Sequence, residues 1–314
     1  MDAVADFDSE VPDRELSRLI SVGQSFSGSW LMQLPFKPDM QQVSKEWRVA
    51  AQRRLGLYMT DLSALLRSAS TAPTLSSGAA IDPLGDAISN KMDFHARHNK
   101  PLRIFYDALN ATSTGSVILA DKSDLKHGYR KTTKYKMYND GHVPDIIRPN
   151  GSDSGRHEIF EVKVPSALTK TLMSKGHLYA FGNTEDRMLA LALGKRRRGR
   201  PSDGAFDPAT GRGYVKGHDG HYADALRKEH SVLVLVVEST GGIAPCAMSL
   251  LHRLERDAQV PGARDGTAYH RHGPRTFVTH YGQRIAAAAV REDACATAAG
   301  IRALLSHAAR TATD

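Results

Sequence analysis

The sequence predicts a fold of the α/β or α+β kind, a sheet flanked by helices, and three observations carry that reading. Residues 142–166, HVPDIIRPNGSDSGRHEIFEVKVPS, hold two apolar runs around a turn, as a β-hairpin does. Residues 231–238, SVLVLVVE, form a continuous apolar run, the mark of a strand buried on both faces. Segments with helical spacing of apolar residues lie before, between and after these runs. The resulting order is helix, strand, hairpin, helix, buried strand, helix.

The elements follow along the chain. A short helix is predicted near Arg14–Ile20, then a Ser/Gly-rich loop and the apolar stretch SWLMQLPF. Residues 43–68 read as one helix, with Trp47, Ala50, Ala51, Leu55 and Tyr58 recurring at helical spacing. Residues 69–85 are small, polar and broken by Pro and Gly, as in a linker. A helix over Met92–Leu109 would bury Leu102, Phe105 and Leu109, with Pro101 splitting it or marking its true start. GSVIL at 115–119 is a short strand. Beyond residue 166 the chain reads as irregular, and the Gly-, Arg- and Asp-rich residues 194–220 as an insertion or mobile loop. Helices are expected again at His221–His230, Ala247–Ala258 and, rich in alanine, Gly282–Ala309.

The composition narrows the function classes. The chain of 314 residues carries 42 Lys and Arg against 34 Asp and Glu, a formal charge of +8 that suits a polyanionic partner. Only two cysteines are present, Cys246 and Cys295, so no disulfide framework is expected and a reducing compartment fits. No apolar run reaches the about eighteen residues of a membrane span. The acidic start MDAVADFDSEVPDRE does not read as a secretory signal. The expectation is a nuclear or cytoplasmic protein.

The hairpin holds the candidate chemistry. With 151–155 as its loop, Asn150 faces Arg156 and Asp145 falls opposite Glu161. Opposed Cβ atoms in an antiparallel pair lie about 5 Å apart, where like charges destabilise the pair. Lys163, two residues beyond Glu161, points to the same face. A hard divalent cation such as Mg²⁺ would neutralise the carboxylates further. Two carboxylates, a lysine and a metal suit phosphodiester hydrolysis, with the lysine orienting water or stabilising developing charge. A plain surface hairpin with an ordinary Glu–Lys pair is the alternative.

Pro144-Asp145 and Glu161-Val162-Lys163 resemble the signature of the PD-(D/E)xK nuclease superfamily. More narrowly, several parts of the chain resemble the restriction-enzyme-like endonuclease region of non-LTR retrotransposon polyproteins. These are Trp30-Leu31 with Leu34-Pro35, Arg54-Leu55-Gly56-Leu57, Asp82-Pro83-Leu84-Gly85-Asp86, and Arg97-His98-Asn99, followed by the two strands, in matching order over residues 27–168. Lys228 before the buried strand, Glu238-Ser239-Thr240-Gly241 at its end and the closing alanine-rich helix also fit. The resemblance implies a restriction-endonuclease-like mixed central sheet flanked by helices. It divides the chain into an N-terminal helical segment and linker at 1–85 and a nuclease domain at 86–314, the latter with a basic insertion at about 170–220. It also implies a DNA endonuclease derived from a mobile element, with RNA as the other substrate these features admit. Asp145 and Glu161 become ligands of Mg²⁺ or Mn²⁺, and Lys163 the catalytic lysine. Arg97 and His98 would stand near the site, with Asp121 and Lys228 as further accessory residues. Relatives often carry a Cys/His knuckle ahead of the Arg-His-Asn helix, whereas residues 57–91 here contain no cysteine. A catalytically inactive DNA-binding remnant of the same fold is the alternative. Cutting both strands would need two sites, hence a homodimer, for which the sequence offers no sign of its own.

Two basic segments add to the nucleic-acid reading. Lys195, Arg196, Arg197, Arg198 and Arg200 form a run in which Arg198-Gly199-Arg200-Pro201 resembles the core of an AT-hook, or a nuclear-import signal. KHGYRKTTKYKMY at 126–138, with Lys131 and Lys134, interleaves cations with tyrosines, suiting phosphate contact and base stacking. Each reads equally as a solvated polar loop. His95 with His98, and His270 with His272, lack the companions of a zinc site.

Overall fold

The computed structural model describes residues 13–32, 44–68, 73–75, 78, 80–91, 94–113, 115–119, 144–149, 156–166, 168, 180–207, 210, 212–258 and 276–311. It is a mixed α+β structure with a small mixed sheet, as the sequence predicts at that level. The helices are α1 Asp13–Val22, α2 Ser29–Met32, α3 Ser44–Leu55, α4 Thr60–Ser68, α5 Asp86–Lys91, α6 Phe94–Thr112, α7 Ala180–Leu193, α8 Ala223–Arg227, α9 Pro245–Asp257 and α10 Phe277–Thr311. The strands are β1 Ile118–Leu119, β2 Ile146–Arg148, β3 Glu158–Lys163, β4 Gly194–Lys195, β5 His218–Asp219 and β6 Ser231–Val236.

The chain divides into two compact units. One comprises residues 1–112, 164–184 and 236–314, and the other 113–163 and 185–235. The boundary expected at residue 85 therefore does not coincide with the division. α3, α4 and α5 share a core with α10: Val49, Ala50, Leu62 and Ile88 pack with Ala287, Val290, Ala294 and Ile301, joined by Trp30, Met59 and Ile81.

α10 is the axis of the helical unit. Its 35 residues span about 52 Å at the usual rise. α2, α3, α4, α5, α6 and α9 all pack on it. Ala286, Ala287, Ala288 and Ala289 are all buried, so the helix is enclosed on every side there. Small side chains let neighbouring backbones approach at that point. α6 buries Leu102, Phe105 and Leu109 as predicted and runs through Pro101. The single helix expected over 43–68 is two, broken at Gly56, whose φ of +67° suits glycine and ends α3. That break turns Leu55 and Tyr58 outward, and Trp47 is also half exposed, so of the periodic set Ala50 is buried, with Val49 beside it.

At the centre of this unit lies Asp293, whose carboxylate meets Arg53 at 3.1 Å and Arg97 at 2.8 Å and accepts a hydrogen bond from the Ser89 hydroxyl at 2.7 Å. Burial pushes this carboxyl up; the Arg53 and Arg97 charges, with the Ser89 and Arg97 hydrogen bonds, more than reverse that and hold it below the usual carboxylate range.

The sheet has the order β1-β2-β3-β6. β1, β2 and β3 are antiparallel neighbours. Along β3 and β6 the bonds Ser231 N–H to His157 O and Ser239 N–H to Pro165 O advance together, so that pairing is parallel. β3 is buried from Glu158 to Val162. β6 was expected to be buried throughout; only its second half is, and Ser231 at its start is exposed.

The region expected to be a loop is built instead. α7 occupies 180–193, and β4 pairs with β5 in a second, two-stranded sheet. The glycines that suggested flexibility serve close backbone approach. Gly194 has φ +81° and Gly213 φ +102°, and a Cβ on either would strike a carbonyl, of His218 and Ala205 respectively.

Asp293→Ala is expected to take the nearest carboxylate from two buried guanidinium groups and to lower unfolding stability by about 3–5 kcal/mol in urea titration. Because the folded carboxyl titrates below the ordinary Asp value of about 3.9, its contribution is complete above that pH and is lost as pH falls through the folded value. Asp293→Asn should flatten that acid limb of the stability curve.

Candidate active site

The hairpin takes the register that the sequence predicts. Ile146 stands opposite Phe160, Ile147 opposite Ile159 and Arg148 opposite Glu158. Continued one residue past the end of β2, that register sets Asp145, in the bend ahead of the strand, against Glu161. The two charged steps of this ladder contrast. Arg148 and Glu158 are buried and opposite in sign, and the Arg148 Nε donates to Glu158 at 2.7 Å. Asp145 and Glu161 are alike in sign, and Glu161 is buried, so their negative charge must be met from outside the pair.

Three contacts meet it. The Val162 backbone N–H donates to Asp145 Oδ2 at 2.8 Å. The Lys163 ammonium donates to Glu161 Oε1, from a side chain one quarter exposed. The Tyr222 phenol donates to Glu161 Oε2. Tyr222 is buried, and its pKa is raised, first by that burial and then by the negative charges of Glu161 and Asp145. The phenol therefore keeps its proton and acts as a donor at every physiological pH. Asp145, Glu161, Lys163 and Tyr222 all belong to the same unit.

Tyr222 was not foreseen. It lies 61 residues from Glu161, at the N-cap of α8, in the stretch HDGHYADALRKEH. No spacing rule links it to the hairpin. The turn before α8 places it, since the backbone N–H of Tyr222 bonds Ala192 O and that of His221 bonds Leu191 O, both at the end of α7.

Arg97 and His98 belong to the helical unit, where Arg97 is buried against Asp293 and His98 contacts the Asn99 side chain at 3.1 Å. Lys228 bonds Asp224 at 2.7 Å at the exposed C-terminal end of α8. Asp82, in the Asp-Pro-Leu-Gly-Asp segment, accepts from the N–H groups of Leu84, Asp86 and Ala87 and so caps α5. Asp121, Lys131 and Lys134 lie outside the described residues. Lys195, Arg196, Arg197, Arg198 and Arg200 are all exposed. Arg198 is held in a β-bridge to Val215 and Gly199 has φ +67°, so this run is part of a folded hairpin and not the extended strand of an AT-hook. Burial, then the Glu46 carboxylate, pushes the Cys295 thiol up to about 12, so it is no thiolate nucleophile.

Among the described residues no group of three or more His, Cys, Asp and Glu side chains is placed to hold a metal ion. The donor set present is the pair Asp145 and Glu161. Carboxylate oxygens are the donors a hard divalent cation takes, and at Glu161 both accept hydrogen bonds, from Lys163 and Tyr222. Comparison with protein-family models, with curated proteins and with solved structures finds no match to the chain.

Tyr222→Phe should cost about 1.5–3 kcal/mol of stability, the range for a hydrogen bond to a charged group. In a Glu161→Gln background the same change should cost less, and urea unfolding of the double-mutant cycle measures the difference. Additive losses would mean that the phenol acts through packing alone.

Proposed function

We propose that the protein is a metal-dependent endonuclease that hydrolyses DNA phosphodiester bonds, built on a restriction-endonuclease-like core and derived from a mobile element. The observation that carries this reading is the placing of Asp145 on the strand of Glu161, by the hydrogen bond it accepts from the Val162 N–H at 2.8 Å, with Lys163 bonded to Glu161 on that strand. A structural hairpin gains nothing from two opposed carboxylates, whereas a site for a hard cation needs them. Asp145 and Glu161 would hold Mg²⁺ or Mn²⁺, which when bound polarises a phosphoryl oxygen and makes water acidic. Lys163, more exposed than Glu161, can turn from it toward a phosphate oxygen and stabilise the charge that develops as water attacks. Val162 and Tyr222 fix the two carboxylates so that neither must reorganise during the reaction.

One observation favours a second reading, a DNA-binding remnant that no longer cuts. Both Glu161 oxygens already accept hydrogen bonds, from Lys163 and Tyr222. A nicking assay on supercoiled plasmid in Mg²⁺ and Mn²⁺ separates the two. The nuclease reading expects cutting by the wild type, arrest by chelator, and a loss of at least about 100-fold in Asp145→Ala and Lys163→Ala. Equal DNA binding by all three proteins without cutting would establish the remnant instead. Undiminished cutting by both variants would rule out this site.

A further inference from the structure

The second sheet carries a charge pattern that the nuclease chemistry does not use. β4 and β5 are in register with Lys195 opposite His218, and Arg198 meets Val215 three residues further along both strands. The register is thus unbroken, and Arg197 stands opposite Lys216 between these pairs. Both backbone bonds of the Arg198–Val215 bridge are made, at 3.1 and 2.9 Å. The alternation of an extended chain puts Lys195 and Arg197 on one face, about 7 Å apart, with His218 and Lys216 about 5 Å across from them. Like charges directly opposed destabilise a hairpin. Lys195, Arg197 and Lys216 are exposed, and among the described residues none is ion-paired with a carboxylate. The neighbouring acids are engaged elsewhere: Asp203 accepts from the Arg200 backbone N–H at 2.7 Å, and Asp219 faces Arg227 at 3.7 Å. The hairpin accordingly maintains a face of concentrated positive charge at a cost to its own stability.

The arm is rooted close to the carboxylates. Asp219 ends β5, and three residues later Tyr222 donates to Glu161. Three residues of chain span at most about 10 Å. The root is also fixed, because Tyr222 and His221 bond the end of α7, and α7 runs straight into β4.

We propose that the hairpin of residues 194–219 is a phosphate-backbone clamp for duplex DNA, with Lys195, Arg197 and Lys216 as its contact face, anchored to the carboxylate site through Tyr222. The inference rests on the nuclease reading for its ligand and adds to it the place and mode of binding. Cations spaced along one face neutralise backbone phosphates without reading bases, so the clamp binds independently of sequence and gains affinity by counterion release.

The test is anisotropy titration of a labelled duplex of about 25 base pairs, in chelator and over about 50–300 mM salt. Because no metal is present, binding is measured apart from cutting: a failed clamp shows only here, and a failed nuclease reading only in the nicking assay. Lys195→Ser/Arg197→Ser/Lys216→Ser is expected to lower the slope of log affinity against log salt by about two to three and to lose at least about 100-fold in affinity near 0.1 M salt. Lys195→Arg/Lys216→Arg should bind as the wild type does. The triple variant should melt no lower than the wild type, because it relieves like-charge opposition. A control that removes three exposed cations of the helical unit, Lys45→Ser/Arg67→Ser/Arg302→Ser, should keep the wild-type slope. The proposal is overturned if the hairpin variant binds within about threefold of the wild type with the same slope, if the control loses as much, or if single-stranded RNA is preferred to the duplex.

Discussion

Two carboxylates, Asp145 just ahead of β2 and Glu161 within β3, meet at one end of the paired strands, and the arrangement of the sheet unit answers to their like charge. The next charged step of the ladder shows the ordinary solution, since Arg148 opposite Glu158 needs nothing more. Asp145 opposite Glu161 has no such relief. It draws in a backbone N–H from Val162, an ammonium from Lys163 and a phenol from Tyr222. The Tyr222 contact in turn ties α8, the end of α7 and the root of the β4–β5 hairpin to the central strands.

The helical unit solves the opposite problem by the same means. There a single buried carboxylate, Asp293, is surrounded by Arg53, Arg97 and Ser89, and the negative charge serves to hold three helices against α10. Arg53 also faces Asp86 at 3.6 Å, so the two guanidinium groups of the cluster meet two carboxylates, and the cluster explains stability without suggesting chemistry. In the sheet unit the negative charge exceeds what its partners supply, and that excess makes the hairpin the candidate site. The β4–β5 hairpin carries the complementary excess of positive charge.

The sequence reading succeeded where the information was local. Two apolar runs with a loop taken at 151–155 were enough to place the register that β2 and β3 adopt. Spacing likewise located Leu102, Phe105 and Leu109 on the buried face of α6. What the reading missed depends on partners far along the chain. Arg97 has a partner, Asp293, that stands 196 positions away and that no spacing rule gives. Tyr222 looks like one aromatic residue in a polar stretch until it is seen against Glu161. The glycines of 194–220 suggested a loop because composition cannot tell a glycine that loosens the chain from one that lets two strands touch. The break at Gly56 was hidden by apolar residues that kept a helical period on both sides of it.

The central claim is that Asp145 and Glu161 form a site for a hard divalent cation. The most direct measurement is Mn²⁺ binding, followed by the paramagnetic resonance of the free ion, for the wild type beside Asp145→Asn and Glu161→Gln. The account predicts one site in the wild type, competed by Mg²⁺ and weakened at least about 10-fold in each variant. Binding that is the same in all three proteins, or absent from the wild type at millimolar Mn²⁺, would contradict it.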